Sequence, residues 1–264
     1  MKDKRSLFFI IPAFILIVIL CYALIRAMLI YIPLRREKND FNRLREAIHI
    51  TADDQKANKG DKGQDSKNNS SDQALSPFKE LAEENSDFTG WLSIADTEID
   101  YPVMKSAEDD PEYYLHRDFK GEKSYSGCLF IGGGCHEDSL SFIIYGHNMS
   151  NETMFGGLDK YGDYEYAVSH KDIRFITPEE KRVYRVFAAF QTKVNADRDD
   201  VFKYYEEIGD LSQEEYEDTV ESIRRMSVIS TPSAPQYPAQ LLLLSTCSYH
   251  TEDGRFVVAA YRIK

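Results

Sequence analysis

The chain has 264 residues, 29% of them charged and 42% hydrophobic, with a formal net charge of −12. That length accommodates one catalytic domain plus appendages. Residues 1 to 50 hold nine Lys and Arg against four Asp and Glu, a net of +5, so the remainder carries −17; an acidic body without a basic stripe argues against nucleic-acid binding, which needs cations to meet phosphate.

Leu7 to Ile25 is a run of nineteen uncharged, almost wholly apolar residues. As a helix it would measure about 28 Å, enough to span a bilayer. Apolar character resumes after Arg26 and continues to Leu34. The run exceeds the apolar region of a cleaved signal peptide and no Ala-x-Ala site follows, so residues 1 to 34 read as a cytoplasmic stub and an uncleaved transmembrane anchor. Lys2, Lys4 and Arg5 precede the run while Arg26, Arg35, Arg36 and Lys38 follow it, so flanking charge does not fix the orientation.

Phe41, Leu44, Ala47 and Ile48 stand at helical spacing and predict a juxtamembrane helix over Asn39 to Ile50. Thr51 to Gln73 has no aromatic or branched apolar residue and predicts a flexible tether, so that residues 35 to 74 connect the anchor to a folded domain over 75 to 264. Ser76 as a cap and Pro77 at the first helical position, followed by Phe78, Leu81 and Ala82 on one side, predict a helix that opens this domain.

From Trp91 onward the period shortens. Strands are expected at Gly90–Ile94, Ile99–Met104, Gly127–Ile131, Ser141–Tyr145, Ile173–Thr177, Lys181–Lys193, Leu241–Ser245 and Phe256–Ile263. Eight strands separated by turn residues favour a closed barrel over an open sheet. Asp199 to Val228 interrupts them. There Ser212 and Glu215 form a capping box, and Tyr216, Val220, Ile223 and Met226 follow at helical spacing, which predicts a helix inserted before the last two strands.

The chemistry concentrates near the C-terminus. The apolar run Leu241-Leu242-Leu243-Leu244-Ser245-Thr246-Cys247 carries a cysteine to its end, and Arg255 opens the next β-rich run, so adjacent strands would present a thiol and a guanidinium side by side. A thiol is a strong nucleophile only as thiolate and needs a basic or cationic neighbour. Phe142-Ile143-Ile144-Tyr145-Gly146-His147 supplies one, again at a strand end, which makes Cys247, His147 and Arg255 a candidate catalytic set. The plainer alternative is a buried structural cysteine. His250 is a rival base only three residues from Cys247, expected in an exposed loop. Asn148 follows His147, but adjacent residues on an extended chain point apart, so it stays outside the set. His49, His116, His136 and His170 have surface or packing explanations. Cys128 and Cys135 have a disulfide across the Gly132-Gly133-Gly134 turn as an alternative, and no second ligand pair stands at zinc spacing.

At these positions the chain resembles the sortases, cysteine transpeptidases that attach proteins to Gram-positive cell walls. The family's Thr-Leu-x-Thr-Cys segment reads Leu243-Leu244-Ser245-Thr246-Cys247 here, with leucine in place of the leading threonine. Gly90-Trp91, Ile99-Asp100-Tyr101-Pro102-Val103, Tyr113-Tyr114-Leu115-His116-Arg117-Asp118-Phe119, Gly127-Cys128 and Gly146-His147-Asn148-Met149 extend the likeness across residues 75 to 264, and the inserted helix points to class B.

The resemblance implies a mostly β, α+β fold: an eight-stranded sortase-type barrel with an N-terminal helix and an inserted helix, on the extracellular face of the cell membrane behind a single transmembrane helix. Cys247 would attack after threonine in a C-terminal sorting signal. His147 would protonate the leaving amine and, as imidazolium, favour the thiolate. Arg255 would stabilise the oxyanion. Leu115 and Ser245 would line the peptide groove, with Thr246 flanking the nucleophile, whereas Tyr114 and Phe119 fit core packing better. The implied partners are sorting-signal-bearing surface proteins and an amine of a peptidoglycan precursor or, in a pilus-building relative, a pilin lysine; no metal or organic cofactor is implied. Two other readings stay open: a thiol hydrolase, and a membrane-tethered binding module whose cysteine is inert.

Overall fold

The computed structural model describes residues 4–57, 69–194, 202–232, 234–248 and 253–264. The chain divides into two compact units, Met1–Asn42 and Arg43–Lys264. Helix α1, Lys4–Ala57, includes the stretch expected as a juxtamembrane helix. Among the described residues no helix is long and apolar enough to cross a membrane; of the expected span, the side chains from Leu7 to Ala13 lie outside the described set. Those described further along, Phe14, Leu16, Leu20, Leu24 and Leu29 among them, are exposed.

Helix α2, Asn69–Glu84, starts seven residues before the expected cap and carries Pro77 inside it. The tether was expected to run to Gln73; its last residues are helical, and residues 58–68 lie outside the described set. Leu75 is buried together with Phe78 and Leu81, so packing retains the turn ahead of the proline, whose ring is compatible with helical φ but removes one amide donor. Ser76 accordingly donates its hydroxyl to Glu80 at 3.1 Å.

Eight strands follow: β1 Phe88–Ile94, β2 Asp100–Lys105, β3 Leu129–Ile131, β4 Ser141–Tyr145, β5 Asp172–Ile176, β6 Lys181–Lys193, β7 Leu241–Cys247 and β8 Gly254–Arg262. They close into a barrel in the order β1-β2-β3-β4-β7-β8-β6-β5. Every barrel strand therefore has two neighbours, which removes the exposed edges of an open sheet. Pairing is antiparallel except between β2 and β3 and between β4 and β7, which run parallel.

The continuous apolar run of β7 has a simple cause, since both of its faces are buried. Leu241 and Leu243 join Ile143, Phe190, Val257 and Ala259 in a cluster with Tyr216, Val220 and Ile223 of helix α4, Gln213–Met226. Leu242 and Leu244, pointing the other way by strand alternation, are fully buried with Phe142 and Ile144. α4 is the helix expected between the last strand pairs. Its capping box is present, with Ser212 Oγ accepting from the Glu215 amide at 3.3 Å and the Glu215 carboxylate accepting from the Ser212 amide at 2.8 Å.

The segment between β6 and α4 is tied to the barrel at Ser141, whose amide and carbonyl pair with Gly209 at 3.0 and 2.8 Å. No disulfide forms among the described cysteines, and Cys128 and Cys135 are both buried. Among the described residues no three His, Cys, Asp or Glu side chains gather as a metal-ligand set.

Candidate active site

The parallel pairing of β4 with β7 sends both strands toward the same rim of the barrel. Tyr145 is the register partner of Ser245, so the next residues along, Gly146-His147 and Thr246-Cys247, arrive at that rim together although a hundred positions separate them. The Gly146 amide donates to Ser245 O at 3.2 Å. Thr246 Oγ1 donates to Gly146 O at 2.7 Å, and Asn148 Nδ2 donates to Cys247 O at 2.8 Å. Glycine is required before the histidine because a Cβ at 146 would stand 2.5 Å from Leu129 Cδ2 and 2.8 Å from Phe155 Cδ2, well inside van der Waals contact.

Arg255 reaches the site from β8, where it is the direct antiparallel partner of Cys247. Side chains of such a pair share a face with Cβ atoms about 5 Å apart. Cys247 is a partly exposed free thiol. The guanidinium of Arg255 donates one Nη1 hydrogen bond to Gly254 O at 3.0 Å, and among the described residues no carboxylate forms an ion pair with it. Its charge is near enough to oppose the rise that burial imposes on the Tyr145 and Tyr204 phenols.

His147 is half-buried, with Nε2 2.8 Å from Leu115 O. A carbonyl oxygen only accepts, so Nε2 carries the hydrogen and Nδ1 is left with the lone pair. Burial lowers the affinity of the ring for a second proton; the Leu115 carbonyl opposes that, and His116 adds to the depression. The His116 and His147 ring centroids lie 5.5 Å apart. Burial therefore biases the resting ring toward its neutral form.

Cys247 and Arg255 line a cleft of about 570 Å³, and Leu115, Ser245 and Thr246 line it with them. His147 is not among the lining residues and stands beside Leu115. Ser245 is buried, its Oγ 2.8 Å from the Tyr204 hydroxyl. Thr246 is buried and donates its hydroxyl to Gly146 O. Tyr114 and Phe119 are buried in the core. His250 lies outside the described residues.

Other cleft residues escaped the sequence reading: Tyr145, Tyr204, Tyr205 and Ile208 on the apolar side, Glu108 and Glu112 on the acidic side. Tyr204, Tyr205 and Ile208 precede the α4 capping box and so cannot belong to that helix. An apolar cluster without a period just ahead of a helix start was the available signal.

A family model described as the sortase domain matches residues 92–263. The chain belongs to the sortase family. It is 32% identical over 185 residues to sortase B of Listeria monocytogenes, covering 69% of this chain and 72% of the relative. Sortase B of Staphylococcus aureus is 29% identical over 193 residues, 71% of this chain and 75% of that one. Among solved structures, the Staphylococcus aureus sortase B-substrate complex superimposes with a TM-score of 0.72 at 24% identity, covering 88% of this chain and 99% of the other. Sortase B from B. anthracis gives 0.66 at 27% identity, covering 89% and 99%. The closed eight-stranded barrel is thus the sortase B fold, and this sortase is a transpeptidase of that type.

Proposed function

We propose that this sortase is a membrane-anchored cysteine transpeptidase that joins sorting-signal-bearing surface proteins to an amine of a peptidoglycan precursor. The observation that carries the reading is the direct opposition of Cys247 and Arg255 at the cleft, with His147 delivered to the same rim by the β4–β7 pair.

In the first half-reaction the Cys247 proton passes to His147 Nδ1, the ring nitrogen not engaged with Leu115. The thiolate adds to the carbonyl carbon of the threonine in the sorting signal. Arg255 takes up the charge developing on the carbonyl oxygen. The C–N bond then breaks, the imidazolium returns its proton to the departing amine, and a thioester remains on Cys247. In the second half an incoming amine loses a proton to His147, attacks the thioester and expels the thiolate, which recovers the proton. Leu115 and Ser245 line the path of the peptide.

The anchoring part of the reading rests on residues 1 to 34. Leu7 to Ile25 is long enough to span a bilayer, and the exposed Phe14, Leu16, Leu20 and Leu24 form an apolar helix surface that lipid would cover. Residues 35 to 74 would then link the anchor to a catalytic domain over 75 to 264 on the extracellular face.

Incubating the full chain with sorting-signal peptides tests the enzymatic reading, with mass spectrometry for an acyl adduct on Cys247, in the presence and absence of an amine acceptor. An adduct on Cys247 and a ligated product that needs the amine are expected. Hydrolysis unchanged by amine would make the protein a thiol hydrolase, and the absence of any adduct would leave a binding module.

A further inference from the structure

The β4–β7 backbone ladder ends at Tyr145 and Ser245, one bond short of the residues that must meet. After His147 the chain bends back on itself: the Phe155 amide donates to His147 O at 3.0 Å, and Asn148 pairs with Met154 in an isolated bridge. Cys247 is meanwhile drawn into the ladder with β8. The regular β4–β7 register therefore stops just before the candidate base and nucleophile.

Beyond that point two side chains tie the strands together. Thr246, the residue before Cys247, donates its hydroxyl to the carbonyl of Gly146, the residue before His147. Asn148, the residue after His147, donates its amide to the carbonyl of Cys247 itself. The bonds bracket the pair from opposite sides and run in opposite directions between the strands. Thr246 is buried, so water does not replace its hydroxyl contact.

We infer that Thr246 and Asn148 are positioning residues that form a reciprocal clamp and set the separation of His147 from Cys247. The inference rests on the transpeptidase reading above, in which those two side chains exchange a proton. Such transfer tolerates little slack, since a displacement of about 1 Å costs roughly a hundredfold in rate. The donor of each clamp side chain is committed to the opposite strand, Thr246 Oγ1 to Gly146 O and Asn148 Nδ2 to Cys247 O.

The test uses the full chain and a sorting-signal peptide. Thr246→Val, of nearly equal shape, and Asn148→Ala, in a partly exposed loop, should each lower kcat about tenfold while KM stays within about twofold. Thr246→Ser, which keeps the hydroxyl, should restore the parental rate. The same changes are then made in a His147→Ala background, with a peptide whose scissile amide is replaced by a thioester, so that the leaving group needs no proton and acylation stays measurable. There the clamp substitutions should change acylation by less than about twofold. An equal loss in both backgrounds would reduce the two residues to structural props, and parental kcat in both single variants would remove the clamp altogether. If the parent protein forms no adduct, it is the transpeptidase reading that fails; an active parent with unaffected variants refutes the clamp alone.

Discussion

Cys247 and Arg255 face each other as direct partners across the β7–β8 ladder. A strand pair fixes this relation more firmly than a loop would, because displacing either residue breaks the backbone bonds around it. The ladder holds the backbone from which the guanidinium reaches toward Cys247, and a fixed charge contributes most where it is placed before charge develops.

Arg255→Ala is expected to lower kcat by about a hundred- to a thousandfold, the usual cost of losing an oxyanion partner, with the melting temperature little changed. Arg255→Lys should fall between, since an ammonium keeps the charge but not the planar fork. Peptide-cleavage kinetics with parallel thermal melts measure both. A near-parental kcat for Arg255→Ala would remove the residue from the mechanism.

Burial holds His147 below the ordinary imidazole value of about 6.5, so the folded chain binds that proton less readily than the unfolded one. As pH falls below about 6.5 the unfolded state takes the proton first and stability declines, until the lowered native value is reached; above that window the group adds no pH dependence. Thermal melts of the parent and His147→Gln between about pH 5 and 8 should show the steeper acid loss in the parent. Parallel slopes would mean that the ring is not held in its neutral form.

Gly146→Ala should be costly out of proportion to one methyl group. The new Cβ would meet Leu129 and Phe155 at under 3 Å, and overpacking of this kind costs about 1–3 kcal/mol. The clash sits one residue from His147, so turnover should drop by more than the unfolded fraction explains. Urea unfolding read beside specific activity separates the two effects.

Ser245 and the Tyr204 hydroxyl form a buried pair. Removing one partner strands the other, at about 1–3 kcal/mol, whereas removing both costs less than the two single losses combined. Urea unfolding of Ser245→Ala, Tyr204→Phe and the double variant gives the coupling. Additive losses would show that the hydroxyls do not depend on each other.

The parts of the fold legible in the sequence are those whose order is local. β4 and β6 occupy the residues that alternation and turn punctuation indicate, and the Ser212–Glu215 capping box marks the start of α4 within a residue. β7 runs two residues further than the strand expected over Leu241–Ser245, because Thr246 and Cys247 continue the ladder opposite Phe256 and Arg255. The early start of α2 was hidden by Pro77, a breaker whose effect the buried Leu75 outweighs. In the site, Cys247, His147 and Arg255 were candidates by type and motif, and strand pairing brings them to one rim. Tyr204, Tyr205 and Ile208 did not, since their order comes from barrel contacts across long sequence separations and not from any period. Asn148 was set aside on the rule that neighbours in a strand point apart; the bend after His147 removes the premise of that rule.

The parallel course of β4 and β7 has a consequence for how the protein can change. A residue added within either strand would invert every side chain beyond it and turn the imidazole or the sulfur into the wall. Length can vary freely only in the connections, so new cleft shapes must come from segments such as the one bearing Tyr204 and Tyr205, while Cys247, His147 and Arg255 stay on staves that admit no slippage.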